Sequence, residues 1–300
     1  MTTLRMIGVF RATRIRRRRD VTWHFFPPNL FAESLAMTSS IQAKSSSTDD
    51  SSRRDFIKTN AVFAGTLSLN LAFNAQVFAS GSDQLKVGLV GCGGRGTGAA
   101  KQALTADPNV CLVAVSDVFQ EQIDGCLKNL VSNTQISHRV TVHKDHQFLG
   151  LDSYKKVIEA CDVVLLATPP GFRPLHLRAA VEAKKHVFCE KPVATDAPGC
   201  RSVMESVKIA KENQLALVAG FCWRYDRPRR ELFHRVQDGQ IGDVVSSFGA
   251  YLTSPVKPML PAKIRSDEIT DLEWMLRNWY NYAWLSGDGL VEQAVHTVDW

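Results

Sequence analysis

The amino-acid sequence predicts an α/β fold: a doubly wound parallel sheet comes first, and an incomplete α/β domain with an open antiparallel sheet follows. Short apolar runs alternate with helical stretches from Leu85 onward, which is the pattern of β-α-β units. A glycine-rich turn follows the first of these runs. After Phe221 the pattern changes to a longer run of mixed alternation, which is typical of a half-exposed antiparallel strand. We therefore predict a first domain at residues 85–221 and the start of a second domain at 222–300.

The first strand and the turn after it carry the most informative motif. Val87–Val90 predicts a buried parallel strand, residues 97–104 predict a helix, and GCGGRG between them satisfies G-x-G-x-x-G. The first glycine permits a tight turn, the second lets the backbone approach a pyrophosphate, and the third lets the helix pack closely on the strand. The helix N-terminus offers free N–H groups and a positive dipole end to that phosphate. The loop residues expected to contact a dinucleotide are therefore Gly91, Gly93, Gly94, Arg95 and Gly96.

A carboxylate follows the second strand at the position that such a site requires. The apolar run 110–116 ends in Asp117, about 20 residues after Gly96, where a carboxylate meets the adenosine ribose hydroxyls. The alternative is a helix-capping aspartate before the helix predicted from Phe119. Agreement of strand, glycines and carboxylate favours the dinucleotide site. No Arg or Lys adjoins Asp117, and a carboxylate repels a 2′-phosphate, so we expect NAD rather than NADP.

The remaining elements of the first domain follow in alternating order. The predicted strands after the second are 140–143, 162–167, 186–189 and 215–221. The predicted helices between them are 120–131, 152–159, 173–183 and 197–213.

The start of the second domain has a different composition. A helix is predicted at 227–237 and a strand at 244–252, and a Pro-rich loop and an aromatic-rich segment at 274–284 follow. Because a one-sided antiparallel sheet needs more than one strand, we expect the domain to be incomplete and the chain to be a fragment or a partial record. Trp279, Tyr280, Tyr282 and Trp284 are expected to form either a sugar-stacking wall or part of the domain core.

The distribution of charge gives no reason to expect nucleic-acid binding by the folded part. The formal net charge is +6, but residues 1–79 hold 11 Lys and Arg and 5 Asp and Glu, and residues 80–300 hold 25 of each. The basic run 14–19 is expected to belong to a disordered or non-native extension rather than an RNA-binding arm. The seven cysteines show no C-x-x-C or zinc spacing, and we expect most of them to be small core residues.

The leader predicts export. SRRDFIK at 52–58 matches the twin-arginine pattern, a modestly apolar stretch at 61–78 follows it, and we expect cleavage after Ala79. A transmembrane anchor is the alternative, although Asn70 and Asn74 favour a removed signal. The prediction is a periplasmic or exported protein, with residues 37–84 as signal and linker. Met37 is expected to be the true start, so that residues 1–36 are an over-extended reading frame.

A second pair of motifs supports a family resemblance. Together with the glycine loop, ATPP at 167–170 and CEKP at 189–192 make the chain resemble the glucose–fructose oxidoreductase, inositol dehydrogenase and MocA family over residues 85–300. The resemblance implies a Rossmann domain followed by an α/β domain with an open antiparallel sheet, often in a dimer or tetramer. It also implies that Thr168 and Pro169 line the cofactor.

The same resemblance assigns roles to the EKP motif. Glu190 is expected to contact the nicotinamide ribose, and Lys191 to reach both the cofactor and the reacting hydroxyl. Pro192 is expected to follow a cis or otherwise constrained peptide. The position agrees with general principles, because ligands bind at the carboxyl ends of parallel strands and a lysine there can stabilise a developing alkoxide. The alternative for Lys191 is a surface ion pair with Glu190.

The last segment contributes the predicted base. Glu292 and His296 lie four residues apart on one predicted helix face, and Asp299 follows on the same side. The family carries an Asp and a His at this spacing, with the His as proton acceptor, which implies His296 as general base and Glu292 as a group that orients substrate or imidazole. The alternatives are a helix-surface cluster or a metal pair. We expect no metal, because Lys191 supplies the electrophilic contact.

Three further residues match family positions near the active site. His176 is expected either to face the substrate or to pack at a helix start, and Arg224 and Tyr225 are expected near the crevice.

The predicted function is hydride transfer between NAD and a sugar, polyol or related hydroxy compound. Since free NAD is scarce outside the cytoplasm, an exported enzyme is expected to hold and recycle its cofactor tightly. The alternatives are an NAD-dependent glycosidase that acts by oxidation and elimination, and a non-catalytic nucleotide-binding protein. Relatives of the glycosidase kind tend to lose EKP, which this chain keeps.

Overall fold

A computed structural model describes residues 84–254 and 256–299. All of them belong to one unit of the chain, Ser80–Trp300. The predicted extension at residues 1–36 and the predicted twin-arginine signal lie outside the described residues.

Six parallel strands form one sheet in the order β3-β2-β1-β4-β5-β6. The strands are β1 Leu85–Val90, β2 Val110–Asp117, β3 Gln147–Leu149, β4 Val163–Leu166, β5 His186–Cys189 and β6 Leu217–Ala219. Strand order reverses between β1 and β4, and in a doubly wound sheet this reversal opens a crevice at the carboxyl ends of the strands. The predicted α/β class with a Rossmann parallel sheet is confirmed.

Helices cover both faces of the sheet. They are α1 Gly94–Ala106, α2 Gln120–Val131, α3 Tyr154–Ala160, α4 Arg173–Glu182 and α5 Ala197–Glu212. Helices α1 and α2 pack against one apolar cluster, whereas α3, α4 and α5 pack against the other. Leu89, Leu112 and Leu166 are fully buried between these layers. Burial of each such side chain contributes about 1.5–3 kcal/mol, so the sheet and its helices hold the crevice rigidly.

One predicted strand lies elsewhere. The strand predicted at 140–143 is not formed, and β3 pairs instead with Val115–Asp117 at the carboxyl end of β2. Val140 makes only an isolated parallel bridge to Leu112. A 3-10 turn at Lys144–His146 then separates this bridge from β3. The alternation of VTVH therefore reflects partial packing against the core, and pairing resumes only after the turn.

The chain after the sheet is helical where it is regular. Its helices are α6 Arg227–Gln237, α7 Asp271–Arg277, α8 Ala283–Ser286 and α9 Val295–Val298, with a π turn at Leu290–Ala294. Asp226 and Thr270 cap α6 and α7 by accepting backbone N–H bonds from Arg229 and Glu273. Among the described residues, no helix is long and apolar enough to cross a membrane.

The strand predicted at 244–252 is not formed, and the described residues after Ala219 contain no antiparallel sheet. Val245, Phe248 and Leu252 are 92%, 94% and 93% exposed. A strand needs a neighbour to accept its backbone hydrogen bonds, and the described part of this region supplies none.

Candidate dinucleotide and active site

The glycine turn has the geometry that its sequence predicts. Gly91 has a φ of +95°, and an added Cβ would lie 2.8 Å from the Thr168 nitrogen. A Cβ on Gly96 would collide with the carbonyl oxygen of Gly91. At Gly93 and Gly94, in contrast, an added Cβ would meet nothing within 4 Å. The turn is therefore tight on its inner side and open where α1 begins, so that the first N–H groups of this helix face an open space.

A cavity of about 470 Å³ opens at this turn. The first domain lines it with the glycine loop and with Asp117, Phe119, Thr168, Pro169 and His176. Residues from later in the chain complete it: Lys257, Leu260, Leu276, Arg277 and Trp279. Its volume lies in the range of cofactor sites, and a positive-φ turn, two open Cβ positions and a helix N-terminus fit the pyrophosphate of a dinucleotide.

Asp117 joins the glycine turn to the segment after β2. Its Oδ2 accepts a hydrogen bond from the Cys92 N–H at 2.7 Å, and its Oδ1 accepts one from the Phe119 N–H at 3.1 Å. Helix α2 begins at Gln120 with Phe119 as its N-cap residue, so Asp117 is not the cap itself. Each carboxylate oxygen accepts more than one hydrogen bond, which leaves room for a ribose hydroxyl. Burial raises the pKa of this carboxyl, and the backbone N–H groups of Cys92, Phe119 and Val118 oppose that rise.

An arginine that the sequence analysis missed also lies at this end of the cavity. The guanidinium carbon of Arg277 lies 4.1 Å from the centroid of the Phe119 ring. Arg277 also pairs with Glu121 at 2.7 Å and with Glu273 at 2.8 Å. No Arg or Lys adjoins Asp117 along the chain, but tertiary structure adds this one to the lining of the same cavity. Because two carboxylates already balance it, the charge around Asp117 still disfavours a 2′-phosphate.

His176 lines the cavity beside Thr168. Its Nδ1 is hydrogen-bonded to the Thr168 hydroxyl at 3.2 Å, and its ring centroid lies 4.2 Å from that of Tyr154. Burial, with a smaller contribution from the charge of Arg173, lowers the pKa of His176 to about 4. The imidazole is therefore neutral at pH 7. His176 therefore both packs in the first turns of α4 and lines the cavity, and its role toward a substrate stays a prediction.

Glu190 and Arg95 connect the EKP motif to the glycine loop. Arg95 Nε donates to Glu190 Oε1 at 2.6 Å, and the Glu190 side chain is only 5% exposed. Arg173 donates to the backbone carbonyls of Glu190 and Pro192, which fixes the motif from behind. The Lys191–Pro192 peptide is cis, as predicted. The roles of Arg95 and Glu190 toward a dinucleotide stay predictions.

Lys191 contacts Glu292 rather than Glu190. Its Nζ donates to the Glu292 carbonyl oxygen at 2.7 Å and to Oε1 at 3.1 Å. Glu292 is 8% exposed, and its Oε2 is buried without a hydrogen-bond partner. Burial raises the pKa of this carboxyl, while the charge of Lys191 opposes the rise. The surface-ion-pair alternative with Glu190 therefore does not describe Lys191.

His296 lies near the same lysine but is not hydrogen-bonded to Glu292. The π turn Leu290–Ala294 carries Glu292, and α9 carries His296, so the two residues are not on one regular helix. The His296 ring lies 4.7 Å from that of Trp223 and 6.1 Å from that of Tyr251. Burial lowers the pKa of His296, and the charge of Lys191 lowers it further, while Asp299 acts in the opposite direction.

Among the other predicted substrate residues, Arg224 and Asp299 form an ion pair, whereas Tyr225 is exposed. Arg224 donates to both oxygens of Asp299 at 2.6–3.0 Å, and the Asp299 side chain is only 6% exposed. This bidentate pair ties the segment after β6 to α9. Tyr225, in contrast, is 61% exposed. Their roles toward a substrate stay predictions.

The aromatic segment at 274–284 does not form a single wall. Trp279 lines the cavity, Trp274 is buried, and Trp284 is 47% exposed with its ring edge against Phe172. Tyr280 is hydrogen-bonded to Gln293. None of Trp279, Tyr280, Tyr282 and Trp284 is fully buried, and their role toward a sugar stays a prediction.

A protein with this sheet, this glycine turn and a carboxylate after the second strand belongs to the dinucleotide-binding Rossmann class. A family model described as an oxidoreductase family with an NAD-binding Rossmann fold matches residues 85–221. This segment thus matches the NAD-binding domain of the family that the sequence motifs resemble, the glucose–fructose oxidoreductase, inositol dehydrogenase and MocA family, and the cofactor of this domain is NAD.

Alignments with individual proteins cover more of the chain than residues 85–221. An inositol 2-dehydrogenase from Cereibacter sphaeroides is 30% identical over 201 residues, which are 65% of this chain and 55% of the relative. A glycosyl hydrolase family 109 protein from Shewanella baltica is 24% identical over 217 residues, covering 67% and 46%. The crystal structure of scyllo-inositol dehydrogenase from Lactobacillus casei with NAD(H) and scyllo-inositol matches at 25% identity and a TM-score of 0.43, covering 53% of this chain and 43% of that one. The chain spans about half the length of the curated relatives it matches.

Proposed function

We propose that the protein is an NAD-dependent oxidoreductase that acts on a CH–OH group of a sugar, polyol or related hydroxy compound. One observation carries the proposal: Lys191, at the carboxyl end of the parallel sheet, donates two hydrogen bonds to Glu292, which lies four residues before His296 in the chain. A cation that can bind an oxygen and an imidazole that can take a proton are thus together. The inositol 2-dehydrogenases among the relatives support the substrate class.

The glycine loop, Asp117 and Thr168 would hold the cofactor, whose nicotinamide supplies the acceptor for a hydride from the hydroxyl-bearing carbon. The loop would bind the pyrophosphate with backbone N–H groups, and Asp117 would accept hydrogen bonds from the ribose.

Lys191 would bind the reacting oxygen. An ammonium group has three N–H donors, and the two contacts with Glu292 leave the third for a substrate hydroxyl. Negative charge that develops on the oxygen as the proton departs would be stabilised by this nearby cation. Glu292 would hold the lysine in position, which differs from the role toward the imidazole predicted from sequence.

His296 would remove the hydroxyl proton. Its lowered pKa keeps the ring neutral at pH 7 and able to accept a proton. Trp223 and Tyr251 beside the ring would offer flat apolar surfaces to the C–H face of a sugar or cyclic polyol.

The test is a panel of sugars and inositols with NAD, followed by NADH absorbance. Lys191→Ala should lower kcat by about 10²–10⁴-fold while NADH affinity, measured by fluorescence titration, changes by less than about fivefold. The matched control is Lys155→Ala, which removes an exposed lysine that pairs with Asp152. Equal activity in Lys191→Ala and the control would contradict the proposal. Release of an aglycone from a nitrophenyl glycoside without net NADH would instead favour the glycosidase alternative.

We also propose that the protein is exported by the twin-arginine route with its cofactor bound, and that it forms a homo-oligomer. The SRRDFIK pattern and the apolar stretch after it support export. Arg53→Lys with Arg54→Lys should leave the protein in the cytoplasmic fraction, whereas the unsubstituted chain should reach the periplasm. Intact mass of the precursor tests whether translation starts at Met37, and light scattering tests the oligomer.

A further inference from the structure

The cofactor cavity has a second wall that the Rossmann domain does not supply. The segment that carries this wall contributes Lys257, Leu260, Leu276, Arg277 and Trp279. These residues face the glycine loop and Asp117 across the cavity of about 470 Å³. A dinucleotide in this cavity would therefore lie between two parts of the chain that are about 80 residues or more apart in sequence.

Arg277 is the main polar connection between this wall and the Rossmann domain. Its guanidinium lies over the Phe119 ring at 4.1 Å, and its Nη1 donates to Glu121 Oε1 at 2.7 Å. Its Nε donates to Glu273 at 2.9 Å, one turn earlier on the same helix. Glu273 thus orients the arginine from its own helix, and Phe119 and Glu121 receive it on the other side.

The contact between Arg277 and the start of α2 has open space on both sides. A second cavity of about 380 Å³ lies between the start of α2 and α7, and Phe119, Leu276 and Arg277 line both cavities. The wall therefore does not pack continuously against the Rossmann domain at this end. Because few other atoms lie within van der Waals distance between these two cavities, the contact of Arg277 with Phe119 and Glu121 contributes much of the attraction between the second wall and the Rossmann domain at this end.

The contact lies at the adenosine end of the site. Phe119 donates its backbone N–H to Asp117, the carboxylate expected at the adenosine ribose. Opening the wall at Arg277 would therefore free the adenosine half of the dinucleotide before the nicotinamide half. We propose that Arg277, held against Phe119 and Glu121, acts as a clamp that keeps the second wall closed over the adenosine half of NAD and slows cofactor release.

The inference rests on the dinucleotide site and not on the proposed hydride transfer, so its readout is release of NADH. NADH dissociation from the full chain is followed by stopped-flow fluorescence with excess NAD as the competitor. Arg277→Ala should release NADH about tenfold faster, and Glu121→Gln, which keeps the ring contact, about threefold faster. The double variant should release NADH more slowly than the product of the two single effects predicts, because the contact of Glu121 with the second wall runs through the arginine.

Arg265 provides a matched control on the same segment. It pairs with Asp271 and lies 5.7 Å from the Trp274 ring centroid, but it does not line the cofactor cavity. Arg265→Ala should leave NADH release unchanged. Salt should accelerate release from the unsubstituted protein more than from Arg277→Ala, because the Glu121 carboxylate is exposed and its pairing is screened.

Two results would overturn the inference, and they differ. Release rates that are equal in Arg277→Ala and Arg265→Ala would remove the clamp but leave the dinucleotide site. Failure of the unsubstituted chain to bind NADH would remove both. ADP-ribose should also leave Arg277→Ala faster, whereas nicotinamide mononucleotide should not; an opposite ranking of these fragments would place the contact at the other end of the cofactor.

Discussion

At the scale of single residues, the protonation state of His296 decides when the proposed chemistry can proceed. Burial and the charge of Lys191 lower the pKa of this imidazole below its ordinary value of 6.5. A protonated ring cannot accept the hydroxyl proton, so kcat/KM should fall only as the pH drops below about 6.5. His296→Gln should lower kcat by about 10²–10⁴-fold and remove this acid limb from the pH profile. An acid limb that persists unchanged in the variant would assign the base to another group.

For His176 we predict an effect on the free energy of unfolding rather than on catalysis. Its folded pKa is about 4, whereas an unfolded histidine titrates near 6.5. Between these values the unfolded chain binds a proton that the folded chain does not, so the stability is complete above about pH 6.5 and is lost as the pH falls toward 4. The loss should approach about 3 kcal/mol.

Urea unfolding at several pH values measures this loss. His176→Asn should be less stable at pH 7, but its free energy of unfolding should vary less with pH than that of the unsubstituted protein. His138→Asn, at an exposed position, should keep the original pH dependence. A parallel loss of stability in all three proteins would show that His176 is not the group responsible.

At the scale of elements, the sequence predicted the part of the fold in which local pattern and tertiary demand coincide. Strands β1, β2, β4 and β5 are buried on both faces, so each is a nearly continuous apolar run that stands out in the sequence. β3 could not be placed in this way, because it is short, lies at the sheet edge and has partly exposed side chains. The run at 244–252 has the composition of a strand, but pairing depends on a partner that local pattern does not specify.

In the candidate site, too, the sequence predicted the residues that local pattern places and not the contacts that depend on tertiary structure. Gly91 and Asp117 could be found from sequence because chain spacing alone places them at the carboxyl ends of neighbouring strands. The approach of Arg277 to Phe119 and that of Lys191 to Glu292 could not, because both contacts join residues that are far apart in the chain. Glu292 was predicted on a regular helix, and the π turn that redirects its carboxylate toward Lys191 has no simple signature in composition.

Substitutions in the glycine turn should separate the effect on NADH binding from the effect on folding. Gly94→Ala should fold normally, because its Cβ would meet nothing within 4 Å and alanine favours a helix more than glycine does. The same methyl group would enter the space expected for the pyrophosphate, so NADH affinity should fall about tenfold, a loss of about 1.4 kcal/mol. Gly96→Ala is the contrasting variant, since its Cβ would collide with the Gly91 carbonyl and should disrupt the turn itself. Thermal unfolding and NADH titration separate the two effects, and normal NADH binding by Gly94→Ala would place the phosphate elsewhere.

At the scale of the whole molecule, binding of the cofactor and stability of the fold are linked. A ligand that binds only the folded chain stabilises it by about 2.7 kcal/mol at a concentration of 100 Kd. The thermal midpoint should therefore rise with NADH. It should rise much less with an equal concentration of NADPH, because Asp117 would face the 2′-phosphate and Arg277 is already balanced by Glu121 and Glu273.

Asp117→Asn tests whether this carboxylate sets the preference for the whole protein. The substitution removes the charge but keeps the size, although one of the two backbone N–H groups now bonded to Asp117 loses its acceptor, so the variant should be somewhat less stable without ligand. The ratio of the Kd for NADPH to the Kd for NADH should fall about tenfold. The variant loses a charge-assisted bond to the ribose of NADH and no longer repels the 2′-phosphate of NADPH. Asp124→Asn removes a carboxylate of α2 that accepts from Gln120 and does not line the cavity, and its ratio should be unchanged. An unchanged ratio in Asp117→Asn would mean that the carboxylate serves only the backbone of the turn, and the preference for NAD would then have to come from the second wall.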